Sequence, residues 1–283
     1  MITADVGADT FVQPAYRVRE CAHCGLLYRD EILSSDDLAR YYSALAATHW
    51  DFAGYFPTEK AVLAQLKKLP PRARILDFGC SSGRLLAGLT SSYQCFGIEI
   101  NDAAAAAAAQ QGLEIIDLDQ LPQFAPFDAI VLVDVFEHLT QPAHLLRTLV
   151  SSLARNGQLI IVTGDGDSRI CRRDPAQFWY FRNLEHVTML TRRGAEWIAR
   201  TLRLRLVEWN HLSHYDLTFR ERIVQHAQTW LYWQFRERTF FARTLLRWLP
   251  VPRLRRADIA PVCTATRDHV VAVFVRGGHR TLD

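Results

Sequence analysis

Arg74–Asn101, RILDFGCSSGRLLAGLTSSYQCFGIEIN, decides the fold. A buried-type strand (Ile75–Phe78) runs into a glycine turn (Gly79–Gly83) and a helix (Arg84–Ser91). A second strand (Cys95–Ile100) follows and carries an acid, Glu99, near its end. This order builds a nucleoside pocket. Glycines let backbone N–H groups approach a ligand, and an acid at the end of the next strand can hold two ribose hydroxyls. Asp77, inside the first strand just before the turn, puts a negative charge where the pyrophosphate of a dinucleotide needs none. A ligand with a cationic amino-acid tail would welcome it, which favours S-adenosylmethionine over NAD.

From Arg74 onward strands alternate with helices, the pattern of a mostly parallel sheet covered on both faces. The alanine-rich stretch Asn101–Gly112 is a helix closed by Gly112. Leu113–Asp117 is a third strand and Phe127–Phe136 (FDAIVLVDVF) a fourth. A helix over Gln141–Ala154 leads to a fifth strand at Gln158–Thr163. Thr191–Leu202 is a helix, Arg205–Asn210 a sixth strand and His269–Arg276 the last. These elements read as an α/β, Rossmann-like core of seven strands, residues 74–210 and 269–283, with the last strand antiparallel. Residues 1–73 form an N-terminal addition: a Cys-containing hairpin (Tyr16–Arg29), a helix from the Ser34–Ser35–Asp36 cap signal to about Ala47, and a helix opening at Thr58 and stopped by Pro70–Pro71. Residues 211–268 are a helical insertion before the last strand.

The 283 residues suit one α/β domain with additions, 49% apolar and 22% charged, and a net charge of +3 is too small to argue for nucleic acid. The basic excess is arginine, with lysine only at positions 60, 67 and 68. No signal peptide and no spanning apolar run are visible, and six scattered cysteines fit a reduced, cytoplasmic protein.

With these motifs in order, ILDFGCSSG (Ile75–Gly83), GIEIN (Gly97–Asn101), FDAIVLVDVFEHLTQP (Phe127–Pro142) and LEHVTMLT (Leu184–Thr191), the chain resembles class I S-adenosylmethionine-dependent methyltransferases, and among them the small-molecule group with a "pEHl…fT" segment. The resemblance covers roughly half the chain. It implies that Asp77, Gly79 and Gly83 shape the methionine end of the cofactor site. By the same resemblance Glu99 binds the ribose with support from Asn101, Asp117 and Leu118 flank the adenine, and Asp134 floors the methionine subsite. The middle glycine of the family's G-x-G-x-G is Ser81, which fits if its backbone angles are ordinary.

Gly79–Gly83 also reads G-x-S-x-G, the serine-hydrolase elbow, with Asp165 and His186 as conceivable partners. No oxyanion segment precedes it, and a hydrolase explains neither Asp77 nor Glu99. A cofactor-binding scaffold without turnover is the non-enzymatic alternative. For catalysis, His186, His138 and Tyr180 border the place where the methyl group is presented, and a histidine suits removal of a hydroxyl proton. His138 reads equally as a packed turn residue. Cys21-Ala-His-Cys24 is half a zinc knuckle, and residues 1–20 lack a second ligand pair, so no metal is expected. Thr229–Pro250 mixes Trp230, Trp233 and Trp248 with arginines, as does an amphipathic helix on an anionic bilayer or a cap packed on the core or on a second subunit. The acceptor is expected to be a small molecule with an apolar portion, methylated on a hydroxyl.

Overall fold

Runs of β-branched and leucine side chains form the centre of a seven-stranded sheet. The computed structural model describes residues 16–30, 32, 34, 54–244, 246–248 and 250–277. A hairpin of β1 (Val18–Glu20) and β2 (Leu27–Arg29) comes first, then helix α1 (Pro57–Leu66). The core follows as β3 (Arg74–Phe78), α2 (Arg84–Ala87), β4 (Gln94–Ile98), α3 (Asp102–Gln110), β5 (Glu114–Ile115) and α4 (Leu121–Phe124). It continues through β6 (Phe127–Val133), α5 (Pro142–Ser151), β7 (Leu153–Gly164), α6 (Arg169–Arg173), β8 (Thr188–Met189), α7 (Arg192–Thr201) and β9 (Leu204–Leu212). Helices α8 (Phe219–Arg236), α9 (Phe240–Thr244) and α10 (Pro252–Arg256) precede β10 (His269–Arg276).

The large sheet has the order β5-β4-β3-β6-β7-β10-β9, with β10 antiparallel to both its neighbours and β3 to β7 parallel. This is the seven-stranded Rossmann-like sheet expected from the sequence. Side chains alternate across it. Leu76, Ile130, Leu132 and Ile161 face Leu146, Leu149 and Ile198 of α5 and α7. Ile75, Val131, Ile160 and Val162 face Val62, Leu86 and Ala108 of α1, α2 and α3. The chain winds outward from β3 to β5 and then returns to β6 on the other side. The reversal opens a crevice at the carboxyl ends of β3 and β6, where ligands bind in such sheets.

Several boundaries differ from the sequence reading. The strand carrying the acid stops at Ile98, so Glu99 lies just beyond it, and β6 stops at Val133, which frees Asp134–Phe136 for a turn. β7 is longer than expected, running back to Leu153 through Gly157 with a shift in its register against β6. The helix expected after Ser34–Ser35–Asp36 lies outside the described residues.

The Cys hairpin is tied to the core. β2 pairs with β8 (Leu27↔Met189), making a small three-stranded sheet. Arg29, buried, donates to the carbonyls of Asn183 (2.7 Å) and Leu184 (3.2 Å) and lies over the Tyr16 ring. The insertion rests on the same region. Arg182 donates to the Ala260 carbonyl at 2.7 Å, Ala260 N–H to Gln177 at 2.8 Å, and Arg173 stacks on Trp233. A fully packed cap would bury Trp230, Trp233 and Trp248, but only Trp233 is buried; Trp230 is 47% exposed and Trp248 77%. Among the described residues no helix is long and apolar enough to cross a membrane.

Gly83 caps the start of α2 at φ +79°, and a Cβ there would lie 2.9 Å from the Ala108 backbone. A side chain would meet both a left-handed backbone and a closed contact with α3. Gly83→Ala is expected to destabilise the protein by about 1–3 kcal/mol. Chemical denaturation checks this, and an unchanged unfolding midpoint would refute the close α2–α3 contact.

Candidate active site

The turn after β3 has the shape of a cofactor cradle. Gly79 adopts φ +77°, where a Cβ would sit 2.6 Å from Val135. Ser81 is also left-handed, at φ 47°, so the expectation of ordinary angles there is corrected: serine occupies a glycine-type position and carries the cost of it. The compensation is local. Ser81 N–H donates to Glu99 Oε2 and Asn101 N–H to Glu99 Oε1, both at 2.9 Å. Each carboxylate oxygen thus holds one backbone donor and keeps lone-pair capacity for another. A carboxylate fixed in this way suits two adjacent hydroxyls, as a ribose presents them. Asn101 spends its side chain on capping α3, through Ala104 N–H at 3.0 Å. Asp117 opens the turn after β5, and Leu118 beside it is 40% exposed, free to cover a flat ring. Gly83 faces α3, so its part in the site is to hold the turn closed.

Asp77 is buried beneath this cradle. Burial first, then the charges of Glu59 and Glu99, push its carboxyl up to about 7, with Arg84 pulling the other way. Arg84 is held by an ion pair to Glu59 of α1. The residues fit S-adenosylmethionine: a turn with left-handed backbone at Gly79, Ser81 and Gly83, an oriented carboxylate for the ribose, and an acid that a cationic group would return to its charged form.

Next to the cradle lies a buried polar network. Asp134, φ 52°, follows β6, and its N–H donates to Val162 at 3.0 Å, which locks the turn to β7. The Tyr180 hydroxyl lies 3.0 Å from Asp134 Oδ1 and makes a short hydrogen bond with Glu137 Oε1. Thr163 on β7 donates to Glu137 Oε2 at 2.8 Å. One arrangement satisfies every atom: Thr163 donates to Glu137, a protonated Glu137 donates to Tyr180, and Tyr180 donates to Asp134. The energetics agree. Burial, then the Asp134 charge, raises Glu137 to about 8, and burial with the same two acids raises Tyr180 well above its ordinary value.

The candidate histidines lie in this network. His186 is buried, its Nδ1 is 2.7 Å from the Tyr180 carbonyl, and burial followed by His138 lowers its pKa well below normal. His138, half-buried, meets His186 edge to face at 4.8 Å and is also lowered, chiefly by burial. Both are therefore neutral and weakly basic, less suited to proton removal than their spacing implies. Sequence reasoning missed Asp268, His269 and His214. His269 Nδ1 lies 3.0 Å from Asp268 Oδ1, and Asp268 Oδ2 accepts from Trp179 Nε1 at 2.7 Å. Burial lowers the His269 pKa, but the Asp268 hydrogen bond and charge outweigh it and the net shift is upward. The one sequence signal was an Asp-His pair at the head of an otherwise apolar strand.

Ser81 is no elbow nucleophile. Its Oγ is buried with no hydrogen-bond partner among the described residues, and Asp165 pairs with His211 at 3.0 Å rather than with His186. In the Cys21–Cys24 turn His23 packs edge-on against Trp197, and among the described residues no metal-capable group of three includes either cysteine.

A buried acid with a raised pKa stabilises the fold below its unfolded pKa, and that stability is lost as pH rises through its folded pKa. Glu137→Gln keeps the hydrogen bonds of the protonated acid. The variant is expected to match the wild type near pH 4, to exceed it increasingly as pH rises from there, and to lead by on the order of a few kcal/mol above pH 8, where Glu137 ionises in the fold as well. Thermal unfolding across pH checks this; equal pH profiles would show that Glu137 is ionised in the fold.

Comparison with known proteins identifies the family. The family described as "Methyltransferase domain" matches residues 48–208. The ubiquinone biosynthesis O-methyltransferase of Caulobacter sp. (strain K31) is 30% identical over 156 residues, 45% of this chain and 62% of that protein. The chain thus matches about three fifths of the length of that relative. The enzyme of the same name from Marinobacter nauticus is 25% identical over 209 residues, 67% of this chain and 84% of its own. Two solved structures share the fold: the methyltransferase in complex with the Haloferax volcanii Trm112 methyltransferase activator (TM-score 0.53, 15% identity, 78% of this chain and 90% of that one), and the YcgJ protein of Bacillus subtilis (TM-score 0.52, 12% identity, 78% and 99%). With a family match over more than half its length and the matching strand order, the chain belongs to the methyltransferase-domain family, among the class I S-adenosylmethionine-dependent methyltransferases.

Proposed function

We propose that the protein transfers the methyl group of S-adenosylmethionine to a hydroxyl of a small acceptor that carries an apolar portion. The observation that supports this most is the Asp134–Tyr180–Glu137 network beside the cofactor cradle, a polar site fit to orient an oxygen acceptor, with Tyr180 and Glu137 buried and Asp134 half-buried. The names of the relatives, O-methyltransferases of ubiquinone biosynthesis, support oxygen as the methylated atom. S-adenosylmethionine, when bound, supplies an activated methyl on a sulfonium. Glu99 orients the ribose, and Asp77 and Asp134 offer negative charge to the methionine end. Tyr180 fixes the Asp134 carboxylate by its hydrogen bond. Methyl transfer is an in-line displacement, so alignment and exclusion of water are the main tasks of the chain.

The insertion supports an acceptor presented at a membrane surface. Residues 219–256 hold nine arginines against two acids. Phe219 (80%), Phe240 (81%) and Trp248 stand exposed among them, while the buried side of the insertion packs on the segment that carries Tyr180. Basic and aromatic side chains on one surface are the composition of a peripheral lipid contact.

Two measurements test the reading. Glu99→Ala is expected to weaken S-adenosylmethionine by about 1–3 kcal/mol in calorimetric titration, the loss of hydrogen bonds to a charged group. Undiminished affinity, or tight NAD binding by the wild type, would refute the cofactor site. Co-sedimentation with anionic vesicles is expected at low salt and to fall as salt rises, since each arginine near the surface adds about 1 kcal/mol. No binding at low salt would leave the insertion as a protein-packed cap.

A further inference from the structure

The ends of β6, β9 and β10 bring together three side chains that the cofactor site does not use in common. Asp134 follows β6, His214 follows β9 and His269 opens β10. Each offers one ligand atom, and these atoms lie within 4.8 Å of one another. His269 is fully buried and His214 is 6% exposed. Yet His269 Nε2 and His214 Nδ1 have no hydrogen-bond partner among the described residues. Leaving a buried polar atom unpaired costs about 1–3 kcal/mol, and two such atoms on histidines grouped with a carboxylate call for an occupant.

Each of the three is already held by a second group. Asp268 accepts a hydrogen bond from His269 Nδ1–H and is itself fixed by Trp179, a tautomer that leaves the Nε2 lone pair open. A carboxylate behind a histidine is the usual support of a metal-binding imidazole. Tyr180 fixes one oxygen of Asp134 and leaves the other. His214 is stacked between Phe56 (4.5 Å) and His269 (4.4 Å), with interplanar angles of 28° and 29°. The neighbouring group of Glu137, His138 and His186 lies within the same 4.8 Å, but its carboxyl group is the protonated one of the network, bonded to Thr163 and Tyr180, and the Tyr180 carbonyl holds His186 Nδ1.

We propose that Asp134, His214 and His269 bind one divalent transition-metal ion, and that an oxygen of the acceptor completes its coordination beside the transferred methyl group. The acceptor half of this inference rests on the methyltransferase reading, and the metal half does not. Two imidazoles and one carboxylate form a donor set of zinc and non-haem iron sites that keep positions open. Ligands about 2.1 Å from a tetrahedral ion are about 3.4 Å apart, so binding draws the three side chains together by about 1 Å.

The test uses the full chain, stripped with a chelator and titrated with Co²⁺ as a spectroscopic probe in competition with Zn²⁺. About one equivalent of cobalt is expected, with visible bands of nitrogen and oxygen ligation that zinc displaces. His214→Ala and, separately, Asp134→Asn are expected to weaken it by about 100-fold or more, because even supporting groups behind a ligand are worth 10- to 100-fold. Cys21→Ser is expected to leave it unchanged. No retained cobalt in the wild type would overturn the proposal, as would equal affinity in His214→Ala and Asp134→Asn. A thiolate-to-cobalt band lost only in Cys21→Ser would also overturn it and move the metal to the hairpin. S-adenosylmethionine titrated into the same samples separates the two readings. Cofactor binding by a wild type that retains no cobalt refutes the metal site alone, whereas a wild type that retains cobalt and binds no cofactor refutes the methyltransferase reading.

Discussion

One proton on the Tyr180 hydroxyl lies between the buried carboxyl group of Glu137 and the half-buried one of Asp134, and the site is organised around where it goes. Were Asp134 and Glu137 both charged, the hydroxyl would serve one of them and leave two like charges facing each other in a poor dielectric. Protonation of Glu137 removes the conflict. It gives the network a direction, from Thr163 to Asp134. The arrangement needs β6, β7 and the 175–181 segment in register, because the turn after β6 contributes Asp134 and Glu137, β7 contributes Thr163 and the segment contributes Tyr180. Packing of the sheet and chemistry of the site are therefore the same constraint seen at two scales.

Much of this fold is legible in the order of residues alone. Period-two apolar runs mark the strands, and the Gly79–Gly83 turn followed by Glu99 marks the crevice. What local pattern cannot show is the meeting of distant residues. Asp268 and His269 read as the start of an apolar strand, and His214 as part of the opening of an insertion; they meet Asp134 because β10 lies between β7 and β9. The two histidines that the sequence does point to, His138 and His186, are packed against each other, and burial weakens both as bases. Ser81 is half legible: its place in the glycine turn signals a special backbone, and only the observed φ shows that serine adopts it.

The insertion shows the same division. Its composition foretells helices with an apolar side, but not which aromatics that side contains. Trp233 and Tyr232 turn inward against Ala260, while Trp230, Phe240 and Trp248 turn out. The sequence spacing of aromatics across α8, α9 and the turn at Leu246–Trp248 fixes no common face. A composition argument therefore predicts that there is a surface and not where it points.

β10 is among the last elements in chain order and yet lies inside the sheet, with hydrogen-bonded partners on both sides. During synthesis every strand up to β9 emerges first, and until β10 arrives the edge of β7 stands open and β9 has no neighbour. An unfinished chain therefore has an exposed, strongly apolar strand edge of the kind that recruits other chains. It also lacks the Asp268–His269 pair. Completion of the sheet and completion of the polar site happen in the same event, so the protein acquires a closed edge and a finished pocket together, or neither.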